Sequence, residues 1–317
     1  MEYGIIAPHG WRLDLRNFTD PVEAYEAMTR AAQDAEALGY NSIWLYDHLH
    51  TFPIVTQDMF FECWMTTAGL ARDTKRLRIG QTVTCNSYRN PALLAKMAST
   101  VDVMSHGRLI LGIGAGWYQE EYLAYGYPYP SAKERLQRLG EAVQLILAMW
   151  TQEQATVGGR YYHIEGAINQ PKGVQKPHIP LLIGGGGEKM TLRLVAQYAD
   201  ACNVGGGDVS TIKHKLDVLR QHCQEIGRDY NSIWRTTLID YCSIADTQEE
   251  ALAKFTPEER ADEGIMSGAL IGTPDTIRPR LAALEEAGIQ EVILRFVDAP
   301  TLDCLRLFAQ SFVAKSQ

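Results

Sequence analysis

Along the chain, short runs of aliphatic and β-branched residues alternate with longer stretches whose apolar positions recur at helical spacing. That alternation is the pattern of a parallel sheet wrapped by helices. Asp20-Pro21-Val22-Glu23 reads as an N-cap, a proline at the first helical position and a capping glutamate. Behind it Val22, Tyr25, Met28, Ala32 and Ala35 keep one face apolar, Gly39 supplies the stop, and a strand follows at Ser42 to Tyr46. The same phrase returns near the C-terminus: Thr273-Pro274 opens a helix, Ile277, Leu281 and Leu284 line it, Gly288 ends it, and a strand runs over 291–297.

Two units written alike at opposite ends favour one closed barrel over two separate domains. Strands are predicted at 3–7, 42–46, 77–83, 108–113, 180–184, 201–204, 235–243 and 291–297. Eight is the number of a (β/α)8 TIM barrel, an α/β fold. Helices are expected over 91–104, 132–150, 188–198, 209–226 and 301–313, and residues 1–317 are read as a single domain. Two connections are too long for simple barrel loops. Residues 152–177 carry Gly158-Gly159 between short β-like pieces and read as a hairpin insertion, and 247–271 precede the last βα unit. Long connections of this kind are functional or mobile.

Composition narrows the classes. A net charge of −8, with no run of Lys and Arg, speaks against sequence-independent nucleic-acid binding. The N-terminus has neither the basic nor the apolar region of a signal peptide, and the longest apolar stretch, about Leu109 to Trp117, is half a membrane span. No membrane or nucleic-acid partner is therefore expected. The six cysteines are scattered without a CxxC pair, the usage of reduced thiols in a cytosolic, cytoplasmic protein.

In such barrels the site lies just past the strand C-termini. The second predicted strand ends in Asp47-His48-Leu49-His50, where a carboxylate could fix the tautomer of a proton-handling imidazole. The plainer alternative is a loop histidine bonded to backbone. His48-x-His50 also has the spacing of metal-dependent hydrolases, but the other histidines fall in turns, the insertion or a helix, and no metal site is expected. Past the third strand, Thr84 to Ser87 could line a pocket or be an ordinary loop. Past the fourth, Gly112-Ile113-Gly114-Ala115-Gly116-Trp117 lacks the third glycine of a dinucleotide fingerprint; it reads as bare backbone for a flat ligand or as a tight barrel corner. Past the fifth, Gly184-Gly185-Gly186-Gly187 opens a helix and suits a phosphate, with a structural turn as the alternative. His9, past the first strand, could line the pocket mouth.

Together, "LGIGAGWYQEEYLAYG", "YYHIEGAINQPKGVQKPHIPLLIGGGG" and "IGTPDTI" resemble the luciferase-like monooxygenase superfamily, and most of all its coenzyme F420-dependent oxidoreductases. The resemblance spans nearly the whole chain. It implies that Asp47 and His48 sit at the isoalloxazine-like ring, with His48 the proton donor or acceptor during hydride transfer. It implies a non-prolyl cis peptide at Thr82-Val83 or Val83-Thr84 that props the ring, and cofactor contacts from Thr82, Val83, Thr84 and Cys85. Gly184 to Gly187 and the loop with Gly114, Ala115, Gly116 and Glu120 would hold the cofactor's phosphate. Phe52 and Trp117 would face the substrate. One departure matters: where the family's glucose-6-phosphate dehydrogenases carry a catalytic glutamate, this chain has Trp117, which disfavours sugar-phosphate oxidation. The function expected is hydride transfer between F420 and a small organic substrate. The alternatives are an FMN- or reduced-flavin-dependent monooxygenase on the same barrel and a non-flavin, metal-dependent hydrolase. The resemblance also allows a homodimer.

Overall fold

The computed structural model describes residues 1–205, 208–299 and 301–313. Twelve strands follow in chain order: β1 (Glu2–Ile6), β2 (Ser42–Leu45), β3 (Arg78–Gln81), β4 (Thr84–Cys85), β5 (Leu109–Gly114), β6 (Ala155–Gly158), β7 (His163–Ala167), β8 (Leu181–Gly184), β9 (Ala201–Asn203), β10 (Trp234–Ile244), β11 (Leu270–Gly272) and β12 (Glu291–Phe296). The parallel order β1-β2-β3-β5-β8-β9-β10-β12 closes on itself, because β12 pairs with β1 in the register Glu291↔Glu2. This is a TIM barrel, and each of its eight strands is followed by a helix packed outside.

Alternation along each strand sorts the core into two layers. Ile43 and Leu45 face the helices while Trp44 between them fills the barrel; Val292, Ile293 and Leu294 divide in the same way. Local chemistry sets the helix ends. The Asp20 carboxylate accepts from the Val22 amide at 2.8 Å, and Gly39 closes the helix Pro21–Leu38 in the left-handed region. The expected insertion is an antiparallel hairpin of β6 on β7. The stretch 247–271 is not an open loop. Three short helices, Gln248–Ala253, Pro257–Ala261 and Glu263–Gly268, fold it down before β11 pairs with β10. Capping boxes at Thr247 and Thr256 account for two of those starts.

The strand predicted over 77–83 ends at Gln81 as β3, and the short β4 follows beyond the predicted bound. Between them the Thr82–Val83 peptide is cis, at one of the two bonds the resemblance implied. The bulge pushes Val83 toward the neighbouring strands, and glycine makes room there. A Cβ on Gly114 or on Gly184 would lie 2.6 Å from a Val83 methyl. The space bared by these two glycines is thus taken by Val83, and not by direct approach of a flat ligand to their backbone.

Toward the opposite end of the barrel lies a buried polar chain. Trp44 Nε1 donates to Ser42 Oγ at 2.6 Å, and Ser42 donates to Glu291 Oε1 at 2.5 Å. Arg78 stands 3.9 Å from that carboxylate, and Glu291 Oε2 has no partner among the described residues. Burial pushes the Glu291 carboxyl up to about 7, against the lowering pull of Ser42 and Arg78.

Candidate active site

A cavity of about 330 Å³ opens at the C-terminal end of the barrel. His48, Thr82, Val83, Cys85, Trp117 and Gly184 to Gly187 line it. Asp47, Gly114, Ala115 and Gly116 also reach its wall. Most of the residues singled out in the sequence are therefore brought together by five strand ends.

The expected Asp47–His48 pair does not form. Asp47 turns the other way, taking both guanidinium nitrogens of Arg89 at 2.6 and 3.0 Å and the Cys85 amide at 2.9 Å. Burial pushes its carboxyl up even against that ion pair. Asp47 thereby fastens the end of β2 to β4.

Glu121 takes the place expected of Asp47. On the helix Gln119–Ala124 it is 0% exposed, and it gathers four donors. Its Oε2 meets His48 Nδ1 and the Tyr88 hydroxyl, each at 2.8 Å. Its Oε1 takes the amides of Leu49 and His50 at 2.7 and 2.9 Å. Burial alone would raise this carboxyl, but the bonds from His48, Leu49 and His50 outweigh it and hold the group below the usual range. An ionised carboxylate at Nδ1 makes that nitrogen the donor in neutral imidazole. Nε2 then carries the lone pair, and it makes no hydrogen bond among the described residues. Trp11 fixes the ring plane, stacking on His48 at 4.3 Å and 5°. Removing the hydroxyl in Tyr88→Phe deletes one of the four donors; a loss of about 1 kcal/mol is expected in denaturant unfolding, and an unchanged midpoint would count against this bond.

Four predicted residues stand off the cavity wall. Thr84 is buried behind it, its hydroxyl accepting from Trp64 Nε1 at 3.2 Å. Glu120 points to the Tyr118 hydroxyl at 3.0 Å, because the one-residue step along the helix turns it away from Glu121. Phe52 packs its ring against Trp11, Trp117 and Tyr118. His9 is corrected most clearly: it is 1% exposed, and its two ring nitrogens face the Ala7 and Tyr46 carbonyls, each at 3.0 Å. Burial lowers its basicity. Cys85 reaches the wall as a neutral thiol, since burial pushes it up to about 12 against the Tyr122 bond.

The sequence reading missed Tyr88, Tyr118, Leu136, Thr191, Asn203 and Leu238 on the wall. Asn203 ends β9 and Leu238 lies in β10, so the strand-end rule already pointed to that region. Trp11 and Tyr88 carry no local signal, because they are brought in by loops. Past β8, Lys215 lies over the glycines, its Cε 3.6 Å from where a Gly186 Cβ would be, with Glu188 on its ammonium at 2.5 Å. The helix Thr191–Tyr198 begins there without a side-chain cap. Among the described residues no group of three His, Cys, Asp or Glu could hold a metal, and no helix is long and apolar enough to cross a membrane.

The family described as luciferase-like monooxygenase matches residues 1–261. An F420-dependent glucose-6-phosphate dehydrogenase of Intrasporangium calvum is 34% identical over 194 residues, 60% of this chain and 54% of that one. An FMNH(2)-dependent dimethylsulfone monooxygenase of Pseudomonas putida is 27% identical over 242 residues, 66% of each. In fold, the chain is similar to an F420-dependent secondary alcohol dehydrogenase solved with an F420-acetone adduct, at a TM-score of 0.83 and 22% identity over 99% of each chain. The chain belongs to the luciferase-like monooxygenase family, a family of F420- or flavin-dependent oxidoreductases.

Proposed function

We propose that this protein transfers a hydride between coenzyme F420 and a small organic substrate that interconverts an alcohol and a carbonyl. The observation that carries the reading is the His48–Glu121 pair, which presents an unbonded Nε2 beside the cavity. Oxidising an alcohol carbon requires a base for the hydroxyl proton, and neutral His48 offers its lone pair there. In reverse, protonated His48 returns the proton to the nascent alkoxide. Glu121 is a positioning residue that keeps the tautomer and stabilises the imidazolium.

The residues fit a ring bearing a phosphorylated tail. Val83 offers an apolar shelf over Gly114 and Gly184. Gly185, Gly186 and Gly187 and the uncapped helix start supply backbone donors for a phosphate, with Lys215, paired to Glu188, the nearby cation. The bound deazaflavin would supply the two-electron hydride carrier. On the substrate side, Trp117 is 55% exposed where a carboxylate would serve a sugar, and the Phe52 loop continues through exposed Ile54 and Val55. These surfaces favour an apolar or aromatic substrate over a sugar phosphate.

Difference-absorbance titration with F420 and, separately, FMN tests the cofactor. A saturating F420 response is expected. Tight FMN binding with no response to F420 would overturn the reading in favour of a flavin monooxygenase.

A further inference from the structure

Away from the cavity, Lys254, Asp298 and Cys304 form a cluster with no part in the chemistry above. Lys254 Nζ stands 3.1 Å from Cys304 Sγ and 3.2 Å from Asp298 Oδ2, which also accepts the Cys304 amide at 2.8 Å. The remaining Asp298 oxygen, Oδ1, is buried and has no donor among the described residues. Cys304 is buried, while the lysine side chain against it is 26% exposed. A thiol in contact with an ammonium, itself bonded to a carboxylate whose second oxygen is unpartnered, has the groups an oxidative cross-link requires.

We propose that Cys304 and Lys254 form a reversible covalent sulfur–nitrogen link when the protein meets hydrogen peroxide. Peroxide takes two electrons from the sulfur: its O–O bond breaks, one oxygen joins sulfur as a sulfenic acid, and the other leaves as water. The ammonium gives a proton to Asp298. The freed amine lone pair attacks sulfur, the S–O bond breaks, and the hydroxyl leaves as water with the amine's second proton. In sum, one thiol, one ammonium and one peroxide give one S–N bond, two waters and one proton. A thiol reductant reverses the link by attacking sulfur and releasing the amine.

The link has a structural consequence. Lys254 caps the helix Gln248–Ala253 at the start of the 247–271 stretch, and Cys304 lies in the helix Asp303–Phe312. A second cavity, of about 350 Å³, is walled by Asp262, Gly264, Ile265 and Gly268 of that stretch with Leu238, which it shares with the first cavity. The cross-link fixes the start of the stretch that carries this wall to the last helix.

Peptide mapping of the whole protein after peroxide treatment tests the proposal. The expected product is a Lys254–Cys304 cross-linked peptide lighter by two hydrogens than its parts, lost on thiol reduction. In Lys254→Gln the link should vanish, and Cys304 should instead carry a sulfenic-acid probe. Limited proteolysis within 256–268 should slow in the linked protein. Cys304 oxidised without a link, or unmodified, in the wild type would overturn the proposal; so would unchanged proteolysis of linked protein for the stapling.

Discussion

Replacing Glu121 by glutamine is expected to lower turnover about 10²–10⁴-fold while leaving the fold and cofactor binding in place. Glutamine keeps an oxygen for the Leu49 and His50 amides, so the loop after β2 stays anchored. It replaces Oε2 with an amide NH2, which donates where His48 Nδ1 now donates. The imidazole must then accept at Nδ1 and carry its proton on Nε2, and the lone pair leaves the cavity. His48→Ala should lose as much, since it removes the base itself. The two losses should not add, because both act through one proton.

The measurement is cofactor reduction by an accepted alcohol across pH, in both variants and the double variant. A positioning role predicts that Glu121→Gln lowers kcat and alters the pH dependence of turnover while KM and cofactor binding stay near the wild-type values. Full activity in Glu121→Gln with loss in His48→Ala would reduce Glu121 to a structural anchor. Full activity in both would remove His48 from the reaction.

The second large effect concerns stability. Glu291 has a carboxyl raised from 4.5 to about 7, chiefly by burial. The folded state thus holds a proton that the unfolded state has released, so folding stability falls as pH rises from the unfolded value through the folded one. The contribution is present in full below about pH 4.5 and is lost by about pH 7 and above. Its total is about 3 kcal/mol. Glu291→Gln keeps an acceptor for Ser42 and cannot ionise. Denaturant unfolding of both proteins between about pH 4.5 and 8 should show the variant gaining on the wild type by about that amount. Parallel stability curves would mean that Glu291 finds compensation when charged, with Arg78 at 3.9 Å the available cation.

Both effects arise at residues with little to distinguish them in one dimension. Glu121 is one of two adjacent carboxylates, and nothing local says which of the pair turns inward. Helix geometry separates them by about 100°, and only the docking of that short helix against the β2 loop decides that Glu121 faces His48. Asp47 shows the converse. Its neighbour in sequence suggested a pair, but the strand-end turn sends the two side chains apart, and Arg89 reaches Asp47 from another loop.

From sequence alone the barrel was legible, because strand and helix periods are local and each βα unit repeats them. Its strand ends were legible too, and with them His48, Val83, Gly116, Trp117 and Gly184 to Gly187. Tertiary structure decided which carboxylate serves the histidine, that Trp11 stacks on it, that Val83 fills the space left by Gly114 and Gly184, and that His9 is bound to backbone. Those outcomes depend on contacts between loops far apart in the chain, where direction and distance are set by closure of the barrel and not by residue type.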